Sequence, residues 1–423
     1  MTLHRPKYCI IGAGAGGLTC ARHALNTGAE VVVFEQTDRI GGTWVYTEQV
    51  GQDRNGLPIH TSMYRGLRSN IPKQTMGYPD SDIESNDSYV SQEEVLKWLM
   101  GYADKHDLSR LIKLEHQVIR VAPFRGDGDQ WVVNVKDLRD NLFFTYKFDF
   151  IMVCNGHYST PLIPEYPGSD QFKGLLMHSH DYRSEDRFKG HDVLLVGAGY
   201  SASDIAIATV KHAKSLVISH HNPEKVKFNF SSLIKIKPSI SELMATGARF
   251  VDGTEINCTT IIFCTGYKYS FPFLSSECGI RIEENHVTPL FKHVINISHP
   301  TMALIGIPFY VCPTQMMDLQ ARFCIQFFTG ALQLPGKEKM LRDMEADIEE
   351  RRRRGLPKKS MHKLEGDLQP RYYDDLAKTA QVEPLKPIVM KLFDECMRRR
   401  AEDLLNYRND KFVVTGDGHF RVL

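Results

Sequence analysis

Two glycine-rich turns, GAGAGG at 12–17 and GAGYSASD at 197–204, carry the clearest chemical purpose in this chain. Each follows a short apolar run and opens a stretch of helical pattern, the setting in which a backbone takes up a dinucleotide. In the first, Gly12 allows the tight turn, Gly14 lets the backbone approach a pyrophosphate, and Gly17 permits close helix–strand packing. Ala15 and Gly16 begin the helix, whose free N–H groups suit phosphates. Glu35 ends the following strand at the distance expected of a carboxylate that accepts hydrogen bonds from a ribose diol, with Gln36 beside it. Strand, helix and strand are expected at 8–11, 15–26 and 30–35.

The second turn repeats the device with Gly197 and Gly199, and Ser203 stands where a third glycine would. Tyr200, Ser201, Ala202 and Asp204 complete that segment. Its second strand, 216–219, ends in Ser219 and His220 rather than an acid. An acid there would repel a 2′-phosphate, so NADP(H) is favoured over NAD(H). His220, His221, Lys225 and Lys227 are candidates to meet that phosphate, and each is equally compatible with a solvated loop.

The intervening segments position these turns. WVVNV (131–135) and LFFTYKFDF (142–150) are separated by a polar turn, and FDFIMVCNG (148–156) reads as a strand returning to the first sheet. TEINCTTIIFCTGY (254–267) follows the same plan in the second half. TMALIGIP (301–308) precedes a helical pattern, MMDLQARFCIQFFTGAL. The fold class is therefore α/β, with two Rossmann-like dinucleotide-binding domains. The FAD-type domain is formed by 1–160 and 291–423, and the NADP-type domain, 161–290, is inserted into it.

Composition narrows the function. The 423 residues are 42% hydrophobic and 24% charged with net charge +1, so no overall field favours nucleic acid or an anionic membrane. The basic run 351–354 follows EADIEE and reads as a solvated helix face. Nine cysteines occur singly, without C-x-x-C or a metal-ligand spacing, which argues against a disulfide framework and a metal site. No segment has the apolar length of a membrane span. The chain reads as soluble: cytoplasmic as it stands, secreted if a signal peptide has been removed, with sequons at Asn86, Asn229, Asn257 and Asn296. A homo-oligomer is compatible with all of this.

Between the turns lies FKGLLMHSHDYR (172–183). Its Phe172, Gly174, His178 and Tyr182 fit the identifying pattern F-x-G-x-x-x-H-x-x-x-Y, so the chain resembles the flavin-containing monooxygenases. GGTW (41–44), SMYRGLRSNIPKQTM (62–76), FCTGY (263–267) and LQAR (319–322) are similar to family segments in family order. Its compactness is most similar to insect members that N-oxygenate plant pyrrolizidine alkaloids.

The resemblance implies FAD and NADP(H) as cofactors, O2 and an amine or sulfide as substrates, and oxygen transfer through a flavin hydroperoxide. A soft nucleophile of that kind needs no base, which agrees with the lack of a paired-carboxylate or Ser/His/Asp arrangement. It also implies that Asn70 is catalytic, and that Gly42, Thr43, Trp44, Ser69, Gly266 and Gln320 contact cofactor. Phe172 and Tyr182 are expected to pack, and His178 to hold the linker. Tyr182 replaces the tryptophan of Baeyer–Villiger relatives, which argues against lactone formation. The alternatives are an S-oxygenating general flavin monooxygenase, or a non-catalytic flavin and nucleotide binder. A disulfide reductase would share both domains but needs a redox cysteine pair.

Overall fold

The computed structural model describes residues 5–124, 130–226, 233–416 and 418–423. The sequon at Asn229 and the candidate Lys227 lie outside these residues, as does the side chain of Lys225.

Strands whose two faces are both covered read as continuous apolar runs, and the first sheet shows why. Lys7–Ile11 pairs in parallel with Glu30–Phe34 on one side and Phe150–Val153 on the other. Met302–Leu304 extends the sheet beyond Phe150–Val153, and Ile112–Lys113 extends it beyond Glu30–Phe34. Side chains alternate between faces. Tyr8, Ile10, Val31, Val33, Met152 and Ala303 enter one core with the helices. Cys9, Ile11, Phe34, Ile151, Val153 and Leu304 enter a second core, under an antiparallel sheet of His116–Pro123, Trp131–Asp137 and Leu142–Phe148.

Helix α1 (Ala15–Leu25) connects the first two strands and packs on α4 (Pro313–Phe328). Thr19 donates to Asp318 at 2.8 Å across that contact. Helix α2 (Gln92–Lys105) begins with a capping box, Ser91 with Glu94, which satisfies two otherwise unpaired N–H groups. The fourth helix starts at Pro313, whose fixed φ suits the first turn, and stops at Thr329 before Gly330 at φ +74°. Of the basic run, only part lies on a solvated face. Arg351, near the end of α5 (Lys337–Arg353), is 2% exposed and pairs with Asp347 at 2.7 Å.

The second sheet has five parallel strands in the order Ile234–Lys237, Ser215–Ser219, Asp192–Val196, Thr260–Phe263, Leu175–His178. All come from the chain between the Phe150–Val153 and Met302–Leu304 strands of the first sheet. Val193, Leu195 and Ile218 face helix α3 (Tyr200–Thr209). Leu194, Val196 and Ile261 face Phe172 and the antiparallel sheet Ile240–Met244, Gly247–Phe250, Glu255–Asn257. The chain rejoins the first core earlier than the boundary near 290 read from the sequence. Tyr269, Phe271, Cys278 and Val287 already pack with Cys9 and Ile11.

The remaining elements include two C-terminal helices, α6 (Leu368–Ala380) and α7 (Pro387–Glu402), which pack into the helical core. All nine cysteines are free and buried, as small core residues. Asn296 is fully buried, so its sequon is closed to glycosylation. Among the described residues no helix is long and apolar enough to cross a membrane, and no group of three or more His, Cys, Asp or Glu could hold a metal.

Candidate functional site

The two glycine turns are built alike. Gly12 sits at φ +104° with its N–H donated to Phe34 O at 2.8 Å, and an added Cβ would lie 2.6 Å from Cys154 O. Gly197 sits at φ +107° with its N–H donated to Ser219 O at 2.9 Å, and a Cβ would lie 2.5 Å from Cys264 O. Only glycine tolerates both the conformation and the approach. A Cβ on Gly17 would lie 1.8 Å from Gly12 O, which explains the third glycine. Counted as in the first turn, the matching place in α3 is Ala202 rather than the Ser203 read from the sequence: Ala202 is fully buried, so a single methyl fits there, and Ser203 beside it donates to Gly199 O at 2.9 Å.

The GGTW segment meets the first turn from the opposite side. A Cβ on Gly42 would lie 3.0 Å from Gly14 Cα, so two bare backbones face one another there. Helix α1 begins at this gap with no side-chain cap, leaving backbone N–H donors for an anion. Glu35 is held rigidly beside it: its carboxylate accepts from the Ala13 N–H, the Thr37 N–H and the Thr37 hydroxyl, each at 2.8 Å. A carboxylate has about four acceptor positions, so capacity for a diol remains.

From this gap a cavity of about 700 Å³ runs toward the second domain. Gly12, Gly14, Ala15, Gly16, Glu35 and Gln36 line one part, and Gly42, Thr43, Trp44, Ser69 and Asn70 line the next. Of the second turn, Tyr200 alone reaches this cavity; Gly197, Gly199, Ser201, Ala202, Ser203, Asp204, His220 and Gly266 are not in its wall. His60, His157, Tyr158 and Tyr310 also line it, and no sequence signal marked them.

Asn70 lines the cavity with its amide pinned. Arg408 donates through Nη2 to Asn70 Oδ1, and through Nε to Ser69 O at 3.1 Å. A guanidinium has no acceptor, so the atom facing it must be the amide oxygen. Among the described residues the Nδ2 donors of Asn70 have no protein partner. Two expected cofactor contacts have partners within the protein. Gln320 is fully buried outside the cavity wall, with Oε1 accepting from Gly306 N–H and Nε2 donating to Tyr372 Oη, both at 2.8 Å. Its influence on the cavity passes through Gly306, which does line it. Asp204 turns toward the domain junction, accepting from Tyr64 Oη at 2.6 Å and from Arg408 at 2.8 Å.

The linker behaves as packing predicts. Phe172 is buried, and a Cβ on Gly174 would lie 2.6 Å from its ring, so the small residue makes room for the large one. His178 Nδ1 accepts from the His180 N–H at 3.0 Å, capping the short turn that follows. Arg183, buried and in no ion pair among the described residues, donates to five backbone carbonyls, including Thr47 O at 2.7 Å and Thr61 O at 3.3 Å. It ties the linker to the loop that carries the cavity wall.

The family described as flavin-binding monooxygenase-like matches residues 5–229 and 222–397. Senecionine N-oxygenase of Tyria jacobaeae is 33% identical, over 98% of this chain and 91% of that protein. The chain belongs to this family. Trimethylamine monooxygenase of Methylocella silvestris is 31% identical over 98% of this chain and 93% of its own length. The solved structure of S-allyl-L-cysteine S-oxygenase from Allium sativum superimposes with a TM-score of 0.88 at 31% identity, covering 97% of this chain and 96% of that one.

The cofactors of this flavin monooxygenase are FAD and NADP(H), and the residues present fit them. The Gly14–Gly42 gap is a cradle that a side chain would fill, and Thr43 Oγ1 and His157 Nε2 are buried polar atoms without a protein partner. His220 ends its strand as expected, with Nδ1 beside Asn222 O at 2.9 Å and its ring 4.1 Å from that of His221. An acid placed there repels a 2′-phosphate. His220→Asp is expected to lower the NADPH/NADH ratio of kcat/KM by roughly tenfold or more, about 1.4 kcal/mol. An unchanged ratio would remove this strand end from nucleotide selection.

Burial pushes both the His157 and His178 imidazoles down to about 4, and His286 likewise. In the unfolded chain a histidine titrates near pH 6.5. Between those values the unfolded state binds more protons, so stability falls as pH falls through that window and is complete above it. Tm measured from about pH 8 to 4.5 is expected to hold steady down to about 7 and then decline. A flat profile down to about pH 5 would contradict the buried neutral imidazoles.

Proposed function

We propose that the chain is an NADPH- and O2-dependent N-oxygenase of tertiary amines, with plant alkaloids of the pyrrolizidine type as the substrate class. In this reading Gly12, Gly14, Ala15, Gly16, Gly17, Glu35, Gln36, Gly42, Thr43, Trp44 and Ser69 hold FAD. Gly197, Gly199, Tyr200, Ser201, Ala202, Ser203 and His220 form the NADP(H) turn. Bound FAD supplies the redox chemistry, accepting reducing equivalents from NADPH and passing one oxygen atom of O2 to the substrate. The protein positions the reactants and excludes water.

The observation that carries the reading is Asn70, a cavity-lining amide whose oxygen is held by Arg408, which leaves its Nδ2 donors available. Such a preorganised donor costs no reorganisation when charge develops on oxygen.

The wall also speaks to the substrate. Glu35 is the only carboxylate among the described lining residues, and in this reading the ribose diol of FAD takes its remaining acceptor capacity. An ammonium finds no free counter-charge there, whereas a neutral amine has the lone pair the reaction needs. His157 stays uncharged well below neutral pH, so no change of its charge competes. Turnover of a basic amine is expected to rise with pH until the amine is deprotonated. The similarity to an S-oxygenase favours a sulfide as the second reading. Mass spectrometry of products from a pyrrolizidine alkaloid, a dialkylaniline and a thioether separates them. The alkaloid N-oxide is expected to dominate, and preferred turnover of the thioether would overturn the amine assignment.

A further inference from the structure

The C-terminal segment reaches the second nucleotide turn and the cavity wall, and its contacts converge on Asn70. Arg408 is 17% exposed and Asp204 is 11% exposed, and the guanidinium bridges two segments. It donates to Asn70 Oδ1 and Ser69 O in the cavity wall of the first domain. It also donates to both carboxylate oxygens of Asp204, at 3.0 and 2.8 Å, near the start of α3 in the second domain. Tyr64 Oη, six residues before Asn70 in the chain, donates to the same carboxylate at 2.6 Å. The backbone is fastened too, with Cys396 Sγ donating to Asn70 O at 3.4 Å.

A second arginine repeats the grip one residue earlier in α3. Arg400 Nη2 donates to Ser203 Oγ at 2.8 Å, and its guanidinium lies 4.3 Å from the centre of the Tyr200 ring. Tyr200 is the second-turn residue that reaches the cavity. Seating of α3 is thereby tied, through Asp204 and Arg408, to the amide of Asn70.

We propose that Arg408 is a positioning residue: it turns the Asn70 oxygen away from the cavity and, through Asp204, makes that orientation depend on nucleotide seated at the second turn. This rests on the oxygenase reading of Asn70. A single nitrogen, Nη2, serves both Asn70 and Asp204. Loss of Asp204 leaves a largely buried charge free to swing, and loss of Arg408 leaves the amide free to flip. A flipped amide presents an acceptor where a donor is needed.

The test uses FAD-loaded Arg408→Met, Arg408→Lys, Asp204→Asn and Asn70→Ala, with the double variant Asn70→Ala/Arg408→Met. Product and hydrogen peroxide are measured per NADPH consumed. Losing one hydrogen bond to a charged group corresponds to a roughly tenfold fall in the product-to-peroxide ratio. That fall is expected in Arg408→Met, with partial recovery in Arg408→Lys. The double variant should be no worse than Asn70→Ala, because the two residues act as one unit. Additive losses, or wild-type coupling in Arg408→Met, would overturn the proposal.

A second readout does not depend on oxygen transfer. NADP⁺ is expected to slow amide hydrogen exchange in the peptide spanning residues 64–73 in the wild type, and to lose that effect in Asp204→Asn. Equal protection in both proteins would overturn the coupling. Asp204→Asn preserves shape, so it decides the matter if Arg408→Met does not fold. Wild-type protein that shows the exchange effect but transfers no oxygen would sink the oxygenase reading alone.

Discussion

Gly14→Val is expected to purify without the visible absorbance of bound flavin. Its Cβ would stand 3.4 Å from Gly42 Cα, in the gap between two bare backbones at the start of α1. The branched side chain adds two methyl groups to a space that fits only backbone and ligand. Gly14 itself is extended at φ −82°, so valine strains no dihedral and the damage is confined to the ligand's path. The folded protein should therefore persist, with FAD content well below one per chain even after reconstitution. Stoichiometric FAD in this variant would place the pyrophosphate elsewhere. Gly101→Ala, in helix α2 with nothing within 4 Å, is the natural control and should keep its flavin.

The second large effect is expected at Asn70. Asn70→Ala should keep FAD, since the first glycine turn and Glu35 are untouched, but oxidise NADPH with little product. Removing one preorganised donor costs roughly a hundredfold in comparable sites, and the lost oxygen transfer should reappear as hydrogen peroxide. The truncation also strips Arg408 of one acceptor while leaving Asp204 and Ser69 O in place, so the protein should stay folded. A normal product yield per NADPH from this variant would remove Asn70 from the chemistry.

What was legible in the sequence was local. Strand, turn, helix and terminal acid between residues 7 and 35 lie within one supersecondary unit, where hydrogen bonds such as Ala13 N–H to Glu35 span only 22 positions. Period-two burial then separates Tyr8 and Ile10 from Cys9 and Ile11, a division that alternation on a strand imposes. Contacts set by distant chain were not legible. Arg408 sits in NYRNDKF, which has no pattern of its own, and meets Asn70 across 338 positions. Asp204 reads as a nucleotide contact from its neighbours in the turn, and its bonds to Tyr64 and Arg408, from distant chain, were not legible. Gln320 lies in a family-like segment, but full burial on α4 leaves it only protein partners. Arg351 was hidden inside a charge run whose other members remain at the surface, because Asp347 lies one helical turn away.

The central claim is that this fold moves one atom of O2 onto a soft nucleophile at the expense of NADPH. A single measurement addresses it directly. FAD-loaded protein is given NADPH and a tertiary amine under isotopically heavy O2, and the product is weighed by mass spectrometry. The account predicts an amine oxide carrying one heavy oxygen atom, formed in proportion to NADPH consumed. Oxygen recovered entirely as hydrogen peroxide, with the amine returned unlabelled and the same result for a thioether, would contradict it.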